Sequence, residues 1–144
     1  MSPIESNIMG NTKKGDKIKV THIYMKDNGD SAFKDLEISF ERTGIDTYIN
    51  MPNPAEMVLA ETDAGHDFGF HNPSQKQWVI TLQGKIKLSL LDGTSRTFGP
   101  GSILLADDAK IMGSTGHRTQ IISSDSWRCA YVAFNGEVNA LTKA

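Results

Sequence analysis

The segment from Lys85 to Ala106 most narrows the folds open to this chain, because its pattern requires two reversals of direction. Ile86, Leu88 and Leu90 alternate with Lys85, Lys87 and Ser89, the two-residue period of a strand with one buried face. Asp92-Gly93 is a strong hairpin signal, since both central positions of a type I′ turn favour residues that tolerate positive φ. Thr94 to Phe98 is expected to run back antiparallel, Gly99-Pro100-Gly101 to end that strand at a tight corner, and Ser102 to Ala106 to begin another.

The same periodicity covers most of the chain. Ile18, Val20, His22 and Tyr24 alternate with more polar neighbours, Asp27-Asn28-Gly29-Asp30 turns the chain, and Leu36, Ile38 and Phe40 alternate with Asp35, Glu37 and Ser39, which predicts a hairpin. Met51 to Glu61 reads as a strand under Pro52 and Pro54, with a short helical turn as the alternative. Trp78 to Leu82 is β-branched and aromatic and is broken by Gly84, and Thr119 to Ser123 and Trp127 to Phe134 supply the last strands. Roughly eight to ten strands without a long helix argue for a closed antiparallel barrel or jelly roll, because closure removes edges that would pair with other chains. Residues 1–16 are polar and small and read as a loose arm preceding one domain over 17–144.

Composition removes several function classes. The 144 residues are one domain's worth of chain, able to bury a core without covalent staples. A formal net charge of −2 supplies no basic patch for phosphate neutralisation, so nucleic acid is not an expected partner. The longest apolar runs, such as Ile103-Leu104-Leu105-Ala106, are far below the roughly twenty residues that span a bilayer. No leader pattern is visible at the N-terminus, so a cytoplasmic location and no membrane partner are the expectations. The one cysteine, Cys129, excludes an internal disulfide and reads as a small buried apolar residue.

Three of the four histidines, His66, His71 and His117, fall within the central segment. His71 and Gln77 precede the β-prone run and His117 follows a glycine-containing loop, which makes these three side chains the candidate site. The segments FGPGSILLADDAKIMGSTGH and HNPSQKQWVITLQG, with NGDSAFKDLEISFE earlier, resemble the cupin superfamily, specifically a subgroup of small single-domain bacterial cupins without assigned function. The likeness spans about residues 18 to 134. The Gly, Pro-x-Gly corner and following histidine match the second cupin motif, with His117 as the histidine. The first motif has a His-x-His pair, then a Glu, then a Gly seven residues on. Here Gly84 is that Gly, Gln77 stands at the Glu, His71 is the one histidine present, and the other falls near Gly69 or Asn72 and is missing.

The resemblance implies an all-β, cupin-type antiparallel barrel, a homodimer through an N-terminal strand or an exposed sheet face, and a small-molecule ligand inside the barrel. A cupin usually holds one divalent metal through three His and one Glu. His71, Gln77 and His117 offer two imidazoles and an amide oxygen, a set that suits a transition ion (Fe, Ni, Cu, Mn or Zn) better than Mg or Ca. It lacks an anionic ligand, so a metal-free pocket is the competing expectation. His66 and Asp67 become substitute ligands if a bulge turns them inward. Trp78, Asp107 and Arg118 are further candidates for ligand binding, and Arg96 shares with Arg118 the ability to pair with a carboxylate. Against these stand structural roles: His71 donating to a nearby carbonyl, Gln77 joining strands, Trp78 and Trp127 in the core, Asp107 and Asp108 capping a loop, His22 facing solvent or a partner subunit.

Two function classes follow. One is a small-molecule enzyme, metal-dependent with lyase, isomerase or dioxygenase chemistry, or metal-free with His71 or His117 as general base and Gln77 orienting a carbonyl. The other is a non-catalytic module that stores or senses a small polar ligand.

Overall fold

Alternation in the sequence becomes two facing sheets. The computed structural model describes residues 17–39, 41–43, 46–48, 54–109, 115–135 and 138, and the expected arm at 1–16 lies outside them. The strands in chain order are β1 (Lys17–Met25), β2 (Ser31–Ser39), β3 (Glu41–Thr43), β4 (Asp46–Tyr48), β5 (Pro54–Thr62), β6 (Asp67–His71), β7 (Gln77–Gln83), β8 (Ile86–Ser89), β9 (Ser95–Phe98), β10 (Ile103–Asp107), β11 (His117–Ile121) and β12 (Trp127–Phe134). One sheet has six strands in the order β2-β1-β10-β7-β12-β5, the other four in the order β6-β11-β8-β9, and β3 pairs with β4. This is an all-β, two-layer jelly roll.

Its turns follow from residue chemistry. Gly29 N–H donates to the Lys26 carbonyl and Gly93 N–H to the Leu90 carbonyl, while Lys26 and Leu90 pair with Asp30 and Thr94. Each hairpin loop therefore has three residues and ends on a glycine at φ +93°, the type I turn plus left-handed residue rather than the two-residue turn expected at Asp92-Gly93. Ser102 N–H donates to the Gly99 carbonyl, with Pro100 and Gly101 (φ +88°) between them, a type II arrangement. That corner carries the chain from β9 in the small sheet to β10 in the large one. Gly84 makes the opposite crossing, from β7 to β8.

Two features depart from the sequence reading. The sheets stay two open layers, with β2, β5, β6 and β9 as edges, rather than one closed barrel. In addition, β1 and β10 run parallel, Thr21 opposite Leu104 and Tyr24 opposite Asp107. A parallel neighbour needs a long connection, and here the connection is most of the jelly roll itself. Of the segment at Met51 to Glu61, read as strand or helical turn, residues 54–61 belong to the strand β5 and the rest lies outside the described residues.

The large sheet carries buried side chains on both faces. Its inner face contributes Ile23, Val79, Leu104, Trp127 and Cys129 to a core shared with Ile86, Leu88, Phe98 and Ile121 of the small sheet. Its outer face carries a second cluster of Val20, Leu36, Ile38, Trp78, Leu105 and Phe134. Neighbouring residues on one strand therefore serve different cores, Val79 inside and Trp78 outside.

Candidate functional site

Between the sheets lies a cavity of about 400 Å³, with Val79, Ile86, Leu88, Leu104, Ala106 and Trp127 among its apolar lining and His71, Asn72, Gln77, His117 and Thr119 among its polar lining. Three local features bring the histidines together. Gly69 sits at φ +70°, where β6 carries one residue more than β11 between the Asp67–Gln120 and Phe70–Arg118 pairs. That bulge turns both Phe68 and His71 to the cavity. Next, β11 pairs His117 directly with His71. Finally, Gly116 at φ +79° lies so close to β6 that an added Cβ would fall 2.3 Å from the His71 carbonyl oxygen. Only glycine permits that approach. The two imidazole centroids are 4.9 Å apart, with planes at 63°.

Both rings are held through Nδ1. His117 Nδ1 donates to Asp108 Oδ2 at 2.8 Å, and His71 Nδ1 donates to the Gly69 carbonyl at 3.0 Å. Carboxylate and carbonyl oxygens only accept, so each neutral ring carries its proton on Nδ1 and a lone pair on Nε2. Neither Nε2 has a partner among the described residues. Asp108 is fully buried, and its Oδ2 also accepts from Ser31 Oγ at 2.8 Å, while Asn72 Nδ2 donates to its backbone carbonyl at 2.9 Å. Its Oδ1 is buried without a partner among the described residues. Gln77 lines the cavity at the start of β7, and its amide, read from sequence also as a tie between strands, makes no hydrogen bond among the described residues.

Of the other residues put forward from the sequence as ligand-binding or substitute metal ligands, none lines the cavity. Trp78 is 1% exposed in the outer cluster. Asp107 accepts from His22 Nε2 at 3.0 Å on the outer face, which buries His22 instead of leaving it to solvent. Arg118 grips Asp67 on the exposed side of the small sheet, and with Gly69 N–H it holds the Asp67 carboxyl down at about 2. Arg96 donates to Asp35 at 2.9 Å, so both arginines proposed for a ligand carboxylate are taken by the chain's own aspartates. His66 is exposed and meets Phe68 edge-on at 4.5 Å but does not itself line the cavity. Cys129 is buried in the core, its thiol pushed up by burial.

Sequence reasoning missed the load carried by Asp108, Gly116 and Glu56, another cavity residue. For Asp108 the available signal was register: Asp107 and Asp108 are adjacent, so when one faces outward the other can face in.

No protein-family model and no curated protein matches the sequence. Among solved structures, the chain is similar to the cupin domain of Schizosaccharomyces pombe Cnp3, with 14% identity, 87% of each chain covered and a TM-score of 0.44. It is also similar to a cupin domain from Bordetella pertussis Tohama I, with 12% identity, 87% of this chain and 99% of that one covered and a TM-score of 0.43. A conserved protein of unknown function from Streptococcus pyogenes matches with 15% identity and a TM-score of 0.39, over 57% of this chain and 65% of that one. At these scores the fold assignment rests on the strand order described above. No helix among the described residues is long and apolar enough to cross a membrane.

Proposed function

We propose that this is a small-molecule enzyme in which His117 and His71 move a proton on a ligand bound between the sheets. The observation that carries the reading is the shared anchoring of both rings through Nδ1, which leaves two Nε2 lone pairs for one cavity. An imidazole fixed in this tautomer by a buried carboxylate is the arrangement of a general base, and the charge it acquires on taking a proton is stabilised by Asp108. The second ring, once protonated, returns a proton to another atom of the same ligand. The unpaired Gln77 amide supplies an N–H for the oxygen on which negative charge develops. Isomerase or lyase chemistry next to a carbonyl fits those parts: a C–H proton passes to Nε2, the electron pair moves toward the carbonyl oxygen, and a proton is returned to carbon or to a leaving group.

A metal fits the same residues less well. No group of three His, Cys, Asp or Glu among the described residues is placed to hold one, and the buried carboxylate stands behind His117, bonded to its Nδ1, rather than beside its Nε2. An amide and two imidazoles provide no anionic ligand, and no step here is routed through an ion.

The test is solvent exchange in D2O with four- to six-carbon hydroxyketones and hydroxyaldehydes, followed by the loss of the α-proton NMR signal. The unmodified chain should catalyse exchange, His117→Asn should slow it by about 10² or more, and EDTA should change nothing. Ligand binding that is equal in the unmodified chain and in His117→Asn, without exchange in either, would replace the enzyme by a binding module. Exchange that is lost on EDTA treatment and restored by iron, nickel, copper, manganese or zinc would replace the proton-transfer reading by a metal-dependent one.

A further inference from the structure

We infer that the ligand of this cavity carries a positive charge, as a primary or quaternary amine, and no carboxylate or phosphate; this rests on the cavity being the ligand site. The first ground is charge. Among the described residues no Lys or Arg lines the cavity, and the one ionised carboxylate that does is Glu56, on β5 at the open edge of the large sheet. Glu56 is exposed and makes no hydrogen bond or ion pair among the described residues. Nearby cations are committed elsewhere: Arg118 to Asp67, Arg96 to Asp35, and Lys76 to the Phe134 ring at 4.8 Å. An anion entering here would give up its hydration with no Lys or Arg of the lining among the described residues to replace it, a penalty that falls on the charged form alone.

The second ground is the aromatic lining. Phe68, Trp127 and Tyr131 all border the cavity together with Glu56. Trp127 and Tyr131 stand perpendicular, with centroids 6.2 Å apart. Phe68 is 41% exposed, so its ring is open to a ligand at this mouth. Aromatic rings beside a carboxylate attract an ammonium group through the negative ring face and the carboxylate together, and burial pushes the Tyr131 hydroxyl pKa upward, so that ring stays neutral. The amine would sit toward Glu56 and the reacting carbon toward the histidines.

Three probes of one shape separate the possibilities: benzylamine, benzyl alcohol and benzoate, titrated at neutral pH into the full chain while the ring signals of His71, His117 and Trp127 are followed by NMR. Benzylamine should bind about tenfold tighter than benzyl alcohol, with benzoate weakest. Glu56→Gln should remove the amine's advantage and leave benzyl alcohol unchanged, and Glu56→Lys should reverse the order. Glu56 is exposed, so neither change threatens the fold. Benzoate binding as well as benzylamine, or benzylamine affinity unchanged in Glu56→Gln, overturns the inference and leaves the cavity standing as a ligand site. Signals unmoved by all three probes in the folded chain overturn both.

Discussion

Removing the Asp108 carboxylate is the sharpest way to ask whether His117 is held as described. Asp108 is 0% exposed, and both donors to its Oδ2, Ser31 and His117, are themselves at least 95% buried. Asp108→Ala takes the acceptor from both donors in a place that water does not reach. Each buried donor left without its acceptor costs about 1 to 3 kcal/mol, so losing both costs about 2 to 6 kcal/mol. For a chain of 144 residues that is a fall in Tm on the order of 10 °C. Asp108→Asn keeps the shape and one acceptor oxygen. Its amide nitrogen takes the place of Oδ1, which has no partner among the described residues, so the cost there is one buried unsatisfied donor, about 1 to 3 kcal/mol. Urea unfolding should therefore order the chains as unmodified, Asn, Ala. A separate reading comes from long-range ¹H–¹⁵N correlation of the His117 ring, which should show the proton on Nδ1 in the unmodified chain. An Nε2–H tautomer there, or an Asp108→Ala cost below about 1 kcal/mol, refutes the argument.

Gly116→Ala should cost about 2 to 4 kcal/mol and separate the two histidine rings, because a Cβ would meet the His71 carbonyl oxygen at 2.3 Å in addition to the positive-φ strain; Gly93→Ala, with open space around it, should cost only about 1 kcal/mol, and differential scanning calorimetry of both separates crowding from strain. Trp78→Ala should destabilise by about 3 to 5 kcal/mol and leave probe affinity in the cavity unchanged, which isothermal titration checks. The Asp67 carboxyl is depressed to about 2, chiefly by Arg118; its stabilising contribution is therefore fully present above the unfolded value near 4 and lost as pH falls toward 2. The urea midpoints of the unmodified chain and Asp67→Asn should accordingly converge between pH 5 and pH 2.5, and a gap that stays constant over that range removes the latch from the account.

The parts of this fold that were legible in the sequence are those set within a strand or a turn. Alternation located β1, β2 and β8, β-branched and aromatic residues located β7, and glycine and proline located the corners, because side-chain direction, strand propensity and backbone φ are local properties. What joins distant strands was not legible. Nothing in the segment around Val20 signals a parallel neighbour at Leu105, and nothing near His22 signals the Asp107 acceptor 85 residues away. Loop length at Asp92-Gly93 also escaped, since the same dipeptide closes two- and three-residue hairpins and the choice is made by the register of Leu90 with Thr94.

The candidate site divides along the same line, and the period of two explains which of the expected residues do not line the cavity. On β7, Gln77 and Val79 line the cavity while Trp78 between them goes to the outer cluster. On β11, His117 and Thr119 face in while Arg118 reaches Asp67 on the other side. Placing Gln77 in the site therefore excludes Trp78, and placing His117 excludes Arg118, by strand geometry alone. Asp107 and Asp108 show the rule continuing past the strand end: the first holds His22 behind the large sheet and the second holds His117 in front of it. One dipeptide thus fixes the tautomer of two histidines on opposite faces, and the inner histidine lines the cavity. An inward histidine backed by a fully buried carboxylate, rather than a count of histidines against a motif, is what supports the proposed proton transfer.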